Sequence, residues 1–365
     1  MVDLNSISSK EQFPRTTYLE TMVRLLDTVR YNDDNFTNDE RVSCLKYAYS
    51  KAAEHFAQHH VRETLKIPPK RMAAALKTIV GMVVYCWCCV SKEIMADLSI
   101  HYTYTLLLDD TIEKPAGSMA TWYGDLLNGK SQAHGWWRLV NDFFPNVLRH
   151  YGGYCQINMV RSTIDFFQGC WIEQHNFKGF RGSSDYPGFL RRMNGLGHCV
   201  GSTIWPLELI NEEEHFLEIT TAIAQMENWM VWTNDIFSFY KEYSAERDQT
   251  SLVNSYVECE GMTLDEALEK LAKDTLRSSE EIIQVFHDKD PKMYEILTRF
   301  IQGYITWHLC DDRYRLIEVY ESSGEDPIAQ RFKNYVESAR RVGVIDSALY
   351  CVPSVTQLYK QERDG

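Results

Sequence analysis

From Ile219 to Asp248 the chain reads ITTAIAQMENWMVWTNDIFSFYKEYSAERD, with no Gly or Pro and with apolar residues returning at helical spacing. The pattern predicts one long helix. Met226, Trp229 and Met230 near its middle predict little solvent-facing surface, so the remaining chain has to pack around it. Further along, Asn234, Ser238 and Glu242 follow at successive steps of four and form one slowly drifting stripe. Carboxamide, hydroxyl and carboxylate oxygens are the hard ligands that Mg²⁺ prefers, and Mg²⁺ takes few protein ligands because phosphate oxygens and water complete its octahedron. Lys241, seven residues after Asn234, lies near the same face and can meet an anion held by that metal. A solvated polar stripe on a surface helix is the competing reading; the apolar residues upstream weigh against it.

A second stretch has the same design. Lys92 to Glu113, KEIMADLSIHYTYTLLLDDTIE, is helical in pattern. Leu98, Tyr102, Leu106, Asp109 and Glu113 are spaced four, four, three and four apart, so an apolar and aromatic wall runs into an acidic tip. Asp110 is rotated off that line. At a pocket rim a carboxylate can coordinate a metal without full desolvation, whereas inside a buried helix it is costly to ionise. Acids are unfavourable at the C-terminal end of a helix dipole, so something cationic is expected to offset them, which weakens the reading as a plain exposed helix end.

Composition narrows the class. No Pro/Gly/Ser-rich linker or charge block divides the 365 residues, and the expected layout is a flexible segment 1–13, one helical domain over 14–345 and a tail over 346–365. Hydrophobic residues make up 44% and aromatics 13%, enough for a core rich in ring faces. A net charge of −13 argues against nucleic acid or an anionic membrane surface as the main partner, so local cations must handle any anionic substrate. The N-terminus lacks a signal-peptide run, and the longest apolar stretch, Ile79 to Val90, is too short to span a bilayer. A cytoplasmic protein without stable membrane insertion is expected, its ten Cys reduced and the sequon at Asn35 to Thr37 unused. Cys86 and Cys89 form a CxxC with no second pair, which reads as packed core thiols rather than zinc ligands.

Further helical patterns occupy Thr16 to Arg30, Asp39 to Lys66, Lys70 to Ser91, Trp136 to Tyr151, Gln156 to Asn176, Met262 to His287, Pro291 to Tyr320 and Asp326 to Arg341. No strand-like alternation is sustained enough to predict a sheet. His55 and His59 stand four apart, but without a third metal ligand they read as helix-surface histidines. A helix opening at Phe189 carries Arg191 and Asn194 on one face; such an Arg can bind phosphate bidentately or join a surface ion pair. Gly195, Gly197 and Gly201 miss the dinucleotide fingerprint by one position and follow no strand, so close helix packing or a helix break is expected. In the Pro291 to Tyr320 pattern, Tyr304 and Trp307 lead to Arg313 and Tyr314, a third π-rich wall ending in groups that can hold an oxyanion.

The stretches KTIVGMVVY, SKEIMADLSIHYTYTLLLDD, FLRRMNGLGHCVG, AQMENWMVWTNDIFSFYKE, ERDQTSL and WHLCDDRYRL resemble the blocks of class I terpene synthases of the fungal trichodiene synthase family, over nearly the full length. The resemblance implies an all-α class I terpenoid synthase bundle around a central active-site cavity, a cluster of Mg²⁺ ions, farnesyl diphosphate as substrate and a homodimer. Residue by residue, it implies that Asp109 heads the aspartate-rich motif, with Asp110 beside it and Glu113 where some relatives have Asp. Asn234, Ser238 and Glu242 match the second metal motif, and Arg191, Lys241, Arg313 and Tyr314 match the diphosphate-sensing set. Tyr102, Asn194 and Trp307 fall at cavity or near-cavity positions. The implied reaction is ionisation of the diphosphate, isomerisation, ring closure through a bisabolyl cation and proton loss to released diphosphate, with trichodiene as the first-choice product and longiborneol or another cyclic sesquiterpene or alcohol as the alternative. A chain-elongating prenyltransferase shares the fold and first motif, but normally repeats an aspartate-rich motif where this chain has Asn234-Asp235-x-x-Ser238-x-x-x-Glu242. A catalytically silent prenyl-diphosphate binding protein is the rival from another class.

Overall fold

A computed structural model of the chain describes residues 12–35, 37–109, 116–244 and 251–361. Helices alone form its regular elements among the described residues, in line with the missing strand alternation. In chain order they are α1 (Arg15–Thr28), α2 (Asn38–Ala57), α3 (His59–Leu65), α4 (Pro69–Cys86), α5 (Lys92–Asp109) and α6 (Ala116–Leu127). There follow α7 (Gly135–Leu148), α8 (Gly153–Glu173), α9 (Tyr186–Asn194), α10 (Gly197–Thr203), α11 (Phe216–Ser244) and α12 (Leu252–Glu260). The last are α13 (Leu264–His287), α14 (Pro291–Cys310), α15 (Leu316–Glu321), α16 (Pro327–Gly343) and α17 (Val355–Gln361).

The central helix is α11. Ile219, Ala222, Met226, Trp229, Ile236 and Phe237 along it are fully or almost fully buried, and α1, α9, α10, α12, α13 and α15 all pack on it. Trp229 Nε1 donates to Ser279 Oγ of α13 at 2.8 Å, so the one polar atom of that buried ring has its partner. On the opposite side of the cavity α5 is held by α2, α4 and α7, and α14 packs against α4. The glycine cluster does what close packing requires. A Cβ on Gly197 would stand 2.6 Å from the Glu227 carbonyl oxygen, so only Gly lets α10 lie this near to α11. Leu196, between α9 and α10, takes a left-handed φ of 55° and makes the break.

Several boundaries differ from the sequence expectation. The Asp39 to Lys66 pattern divides at Gln58, whose ψ of 135° ends α2 and opens α3. Pro291 to Tyr320 divides after Cys310: Asp311 caps a 3₁₀ turn, Asp312–Tyr314, and Arg315 at φ 57° leads into α15. Helix α12 is unexpected; it starts at Ser251, whose Oγ accepts from Asn254 N, and stops at Gly261 with φ 76°. His55 is a correction: its imidazole is half-buried, bonded to Tyr104 Oη at 2.7 Å and set edge-on to Phe56 and Phe143, because α2 turns this face onto α5 and α7. Phe13 packs against Tyr18, Phe239, Tyr240 and Tyr243, and α17 packs on α2 and α4 through Val355 and Tyr359. Asp110, Glu113 and residues 245–248 of the expected central helix lie outside the described residues.

Candidate active site

A cavity of about 720 Å³ opens between α4, α5, α8, α9, α11 and α14, a size suited to a small-molecule ligand. Asp109 enters it from the end of α5, Arg191 and Asn194 from α9, and Asn234, Ser238, Lys241 and Glu242 from α11. Arg313 and Tyr314 come from the 3₁₀ turn after α14, and Tyr102 and Trp307 stand in the wall. All of these sequence-predicted residues therefore line one space, although they come from five separate segments. Much of the remaining lining is apolar or aromatic, including Ile79, Met82, Trp87, Leu106, Phe166 and Met230, with Thr105, Gln174, Asn176 and Ser251 among its polar members.

The polar rim is cross-linked. Arg191 Nε donates to the Asp235 carboxylate at 2.7 Å and its Nη1 donates to Asn194 Oδ1 at 3.1 Å. Burial works against the Arg191 charge, but the Asp235 carboxylate, together with Glu242 and Glu173, holds the guanidinium above its ordinary pKa. Asn194 Nδ2 in turn donates to Glu173 Oε1 at 2.5 Å, so one chain of hydrogen bonds runs from α11 through α9 to the end of α8. Glycine 169 makes room for it, since a Cβ there would meet Asn194 Cα at 2.8 Å. The Arg313 turn is fastened from α16, where Arg340 Nη1 donates to Cys310 O at 3.1 Å and pairs with Asp312 at 2.9 Å.

Two sets of oxygen donors face this rim. Ligand atoms of Asp109, Glu173 and Cys170 lie within 4.8 Å of one another. Burial and the Asp109 and Glu173 carboxylates push the Cys170 thiol up, so it is a poor thiolate donor and the set is in effect a carboxylate pair suited to a hard cation. In the second set, Ser238 is 2% exposed and its Oγ has no hydrogen-bond partner among the described residues. A buried hydroxyl left in that state is costly unless a ligand completes it, and Ser238 lies one helical turn from both Asn234 and Glu242. The residues present thus fit Mg²⁺.

The wall is chemically quiet. Tyr304 Oη donates to Met230 O at 3.1 Å, Tyr102 Oη bonds Thr203 Oγ1 at 3.0 Å, and Trp307 Nε1 donates to Thr78 O at 3.2 Å. Burial pushes both phenols well above their ordinary pKa, so they stay neutral with their polar tips turned into protein. These three side chains thus offer the cavity their rings rather than their polar atoms.

Sequence reasoning missed four residues here. Glu173 lies near the end of the Gln156 to Asn176 pattern and has no spacing relation to Asp109; only the tertiary fold brings the ends of α5 and α8 together. Cys170 is one turn earlier on the same face. Asp235 stands inside the second motif but off the ligand stripe, and its partner Arg191 is remote in sequence. His308, buried behind Tyr314, bonds Asn234 at 3.1 Å and carries no sequence signal of its own.

A family model described as trichodiene synthase (TRI5) matches residues 12–365. The trichodiene synthases of Trichoderma arundinaceum and Trichoderma harzianum are each 84% identical over 362 residues, covering 99% of this chain and 93% of theirs. That of Stachybotrys chartarum is 58% identical over 355 residues, with 97% of this chain and 93% of its own covered. Since the matched span contains every residue of the cavity, the chain belongs to the trichodiene synthase family.

Proposed function

We propose that this chain is a Mg²⁺-dependent sesquiterpene cyclase that ionises farnesyl diphosphate and closes it to trichodiene, releasing diphosphate. One observation carries the reading: hard oxygen donors and cations share a rim above a cavity walled by aromatic rings and hydrocarbon. Asp109 and Glu173 on one side, and Asn234, Ser238 and Glu242 on the other, would hold Mg²⁺; Asp110 and Glu113, which follow Asp109 in the sequence, are further candidate acids. Bound there, the metal supplies Lewis-acid stabilisation of the departing diphosphate.

Lys241, Arg313, Tyr314 and Arg191 donate to the diphosphate oxygens as negative charge grows on them. The allylic C–O bond breaks with its electron pair leaving on diphosphate, and no protein nucleophile is needed. The apolar wall excludes water from the resulting cation, and the faces of Tyr102, Trp307 and Tyr304 stabilise it by about 0.5–2 kcal/mol each. Because the hydroxyls of Tyr102 and Tyr304 are already engaged, the last proton leaves to the released diphosphate.

The ten cysteines are all free thiols, which supports a reducing, cytoplasmic setting, and no helix among the described residues is long and apolar enough to cross a membrane. A homodimer is the assembly we assign: exposed Ile157 and Leu217, with Phe216 set against Tyr154, offer apolar surface that a second copy would cover. Light scattering of the purified chain tests it. Gas chromatography with mass spectrometry of products from farnesyl diphosphate and Mg²⁺, with and without isopentenyl diphosphate, tests the activity. Trichodiene in both is expected; a longer prenyl diphosphate, or tight binding without volatile product, would replace this reading with elongation or with a silent binder.

A further inference from the structure

The second donor set contains one ambiguous ligand. A carboxamide offers an oxygen on one edge and an N–H₂ on the other, and only one of its two flips can serve a cation. Two contacts beneath Asn234 decide the flip. His308 Nδ1 lies 2.7 Å from the Tyr304 carbonyl oxygen, which can only accept, so the proton is on Nδ1. His308 is fully buried and ringed by Phe237, Tyr304, Trp307 and Tyr314, surroundings in which an unpaired imidazolium would be costly, so Nε2 keeps its lone pair. That lone pair is 3.1 Å from the Asn234 carboxamide nitrogen, and Tyr314 Oη is 3.4 Å from the same atom. Both amide hydrogens are therefore engaged, and Oδ1 is turned to the opposite edge, toward Arg191 Nη2 at 3.4 Å and the cavity.

We propose that His308 is a positioning residue for the second metal site: as an obligate acceptor it locks the Asn234 carboxamide with its oxygen toward the cation. The inference rests on Asn234 being a metal ligand. It also accounts for a histidine placed where it touches neither the cavity nor solvent. Replacing it removes the shortest contact that sets the flip, leaves only the 3.4 Å contacts of Tyr314 Oη and Arg191 Nη2 to bias it, and lets the amide nitrogen compete for the ligand position.

The test is direct binding of Mn²⁺, followed by the electron paramagnetic resonance signal of the free ion, in the presence of inorganic diphosphate. His308→Phe keeps a ring and loses the acceptor; it is expected to weaken binding by about tenfold or more, the usual size of an outer-shell loss. His308→Gln, whose Oε1 can stand where Nε2 stood, is expected to stay within about threefold of the parent. His308→Asn is too short to reach Asn234 and should behave like His308→Phe, so the Gln and Asn pair decides the matter if the Phe variant fails to fold by circular dichroism. Parental affinity in His308→Phe, or equal affinities in the Gln and Asn variants, overturns the proposal. Asn234→Leu separates the two levels: if it binds Mn²⁺ normally, Asn234 is not a ligand and both fall. If it loses binding while the His308 series is flat, only the positioning role falls.

Discussion

Arg191 and Asp235 show how much of this rim is held by a buried pair that links α9 to α11. Both are largely buried, the Asp235 side chain at 4% exposure, and removing one member of a buried pair leaves an uncompensated charge. Asp235→Asn is expected to cost about 3 kcal/mol in urea unfolding; a loss below about 1 kcal/mol would mean that Arg191 finds another partner. Asp109→Ala and Glu242→Ala, by contrast, remove groups at the rim, so turnover should fall by about 10³-fold while the helical circular dichroism spectrum is unchanged. Turnover within a few-fold of the parent would discredit the metal assignment. The candidate stripe of Asn234, Ser238 and Glu242 was readable because three oxygens at steps of four on an apolar helix have a physical meaning. Glu173 and His308 were not, because their partners are brought to them only by packing between helices.

Helix boundaries follow the same division. Long periodic segments such as α11 and α13 declare themselves, whereas nine-residue α12 is too short for its period to stand out even though Ser251 and Gly261 cap it. The contact of α2 with α5 and α7 buries two histidines that sequence spacing alone does not distinguish from surface ones. Burial, and for His55 also the nearby His60 charge, lowers His55 to about 4, and burial lowers His101 likewise to about 4. Each binds a proton more readily unfolded, near 6.5, than folded. Folding is thus unpenalised above pH 6.5 and loses about 1.4 kcal/mol per pH unit for each group as the pH falls from there toward 4. Calorimetric melting at pH 7, 6 and 5 should show that decline, reduced in His101→Gln; a flat profile would contradict it. Helix α17 also contributes, because Val355 and Tyr359 are buried against α2 and α4. Truncation after Pro353 should lower stability by about 2–5 kcal/mol, and an unchanged melting temperature would show the segment to be undocked.

At the scale of the whole molecule, an all-α architecture was legible from the absence of strand alternation and the helical periods, and the cavity from three aromatic walls that each end in polar groups. Its volume and contour were not, since they depend on the chain breaks at Leu196 and Arg315, beside lining residues, that no local pattern encodes. The central claim is that Asp109 and the Asn234, Ser238 and Glu242 stripe converge on one metal-bound diphosphate. Crystals grown with Mn²⁺ and inorganic diphosphate, examined by anomalous scattering, test this directly. Manganese peaks bonded to Asp109 and to the α11 stripe, with diphosphate between them, are expected; manganese bound elsewhere, or diphosphate held without contact to either set, would contradict it.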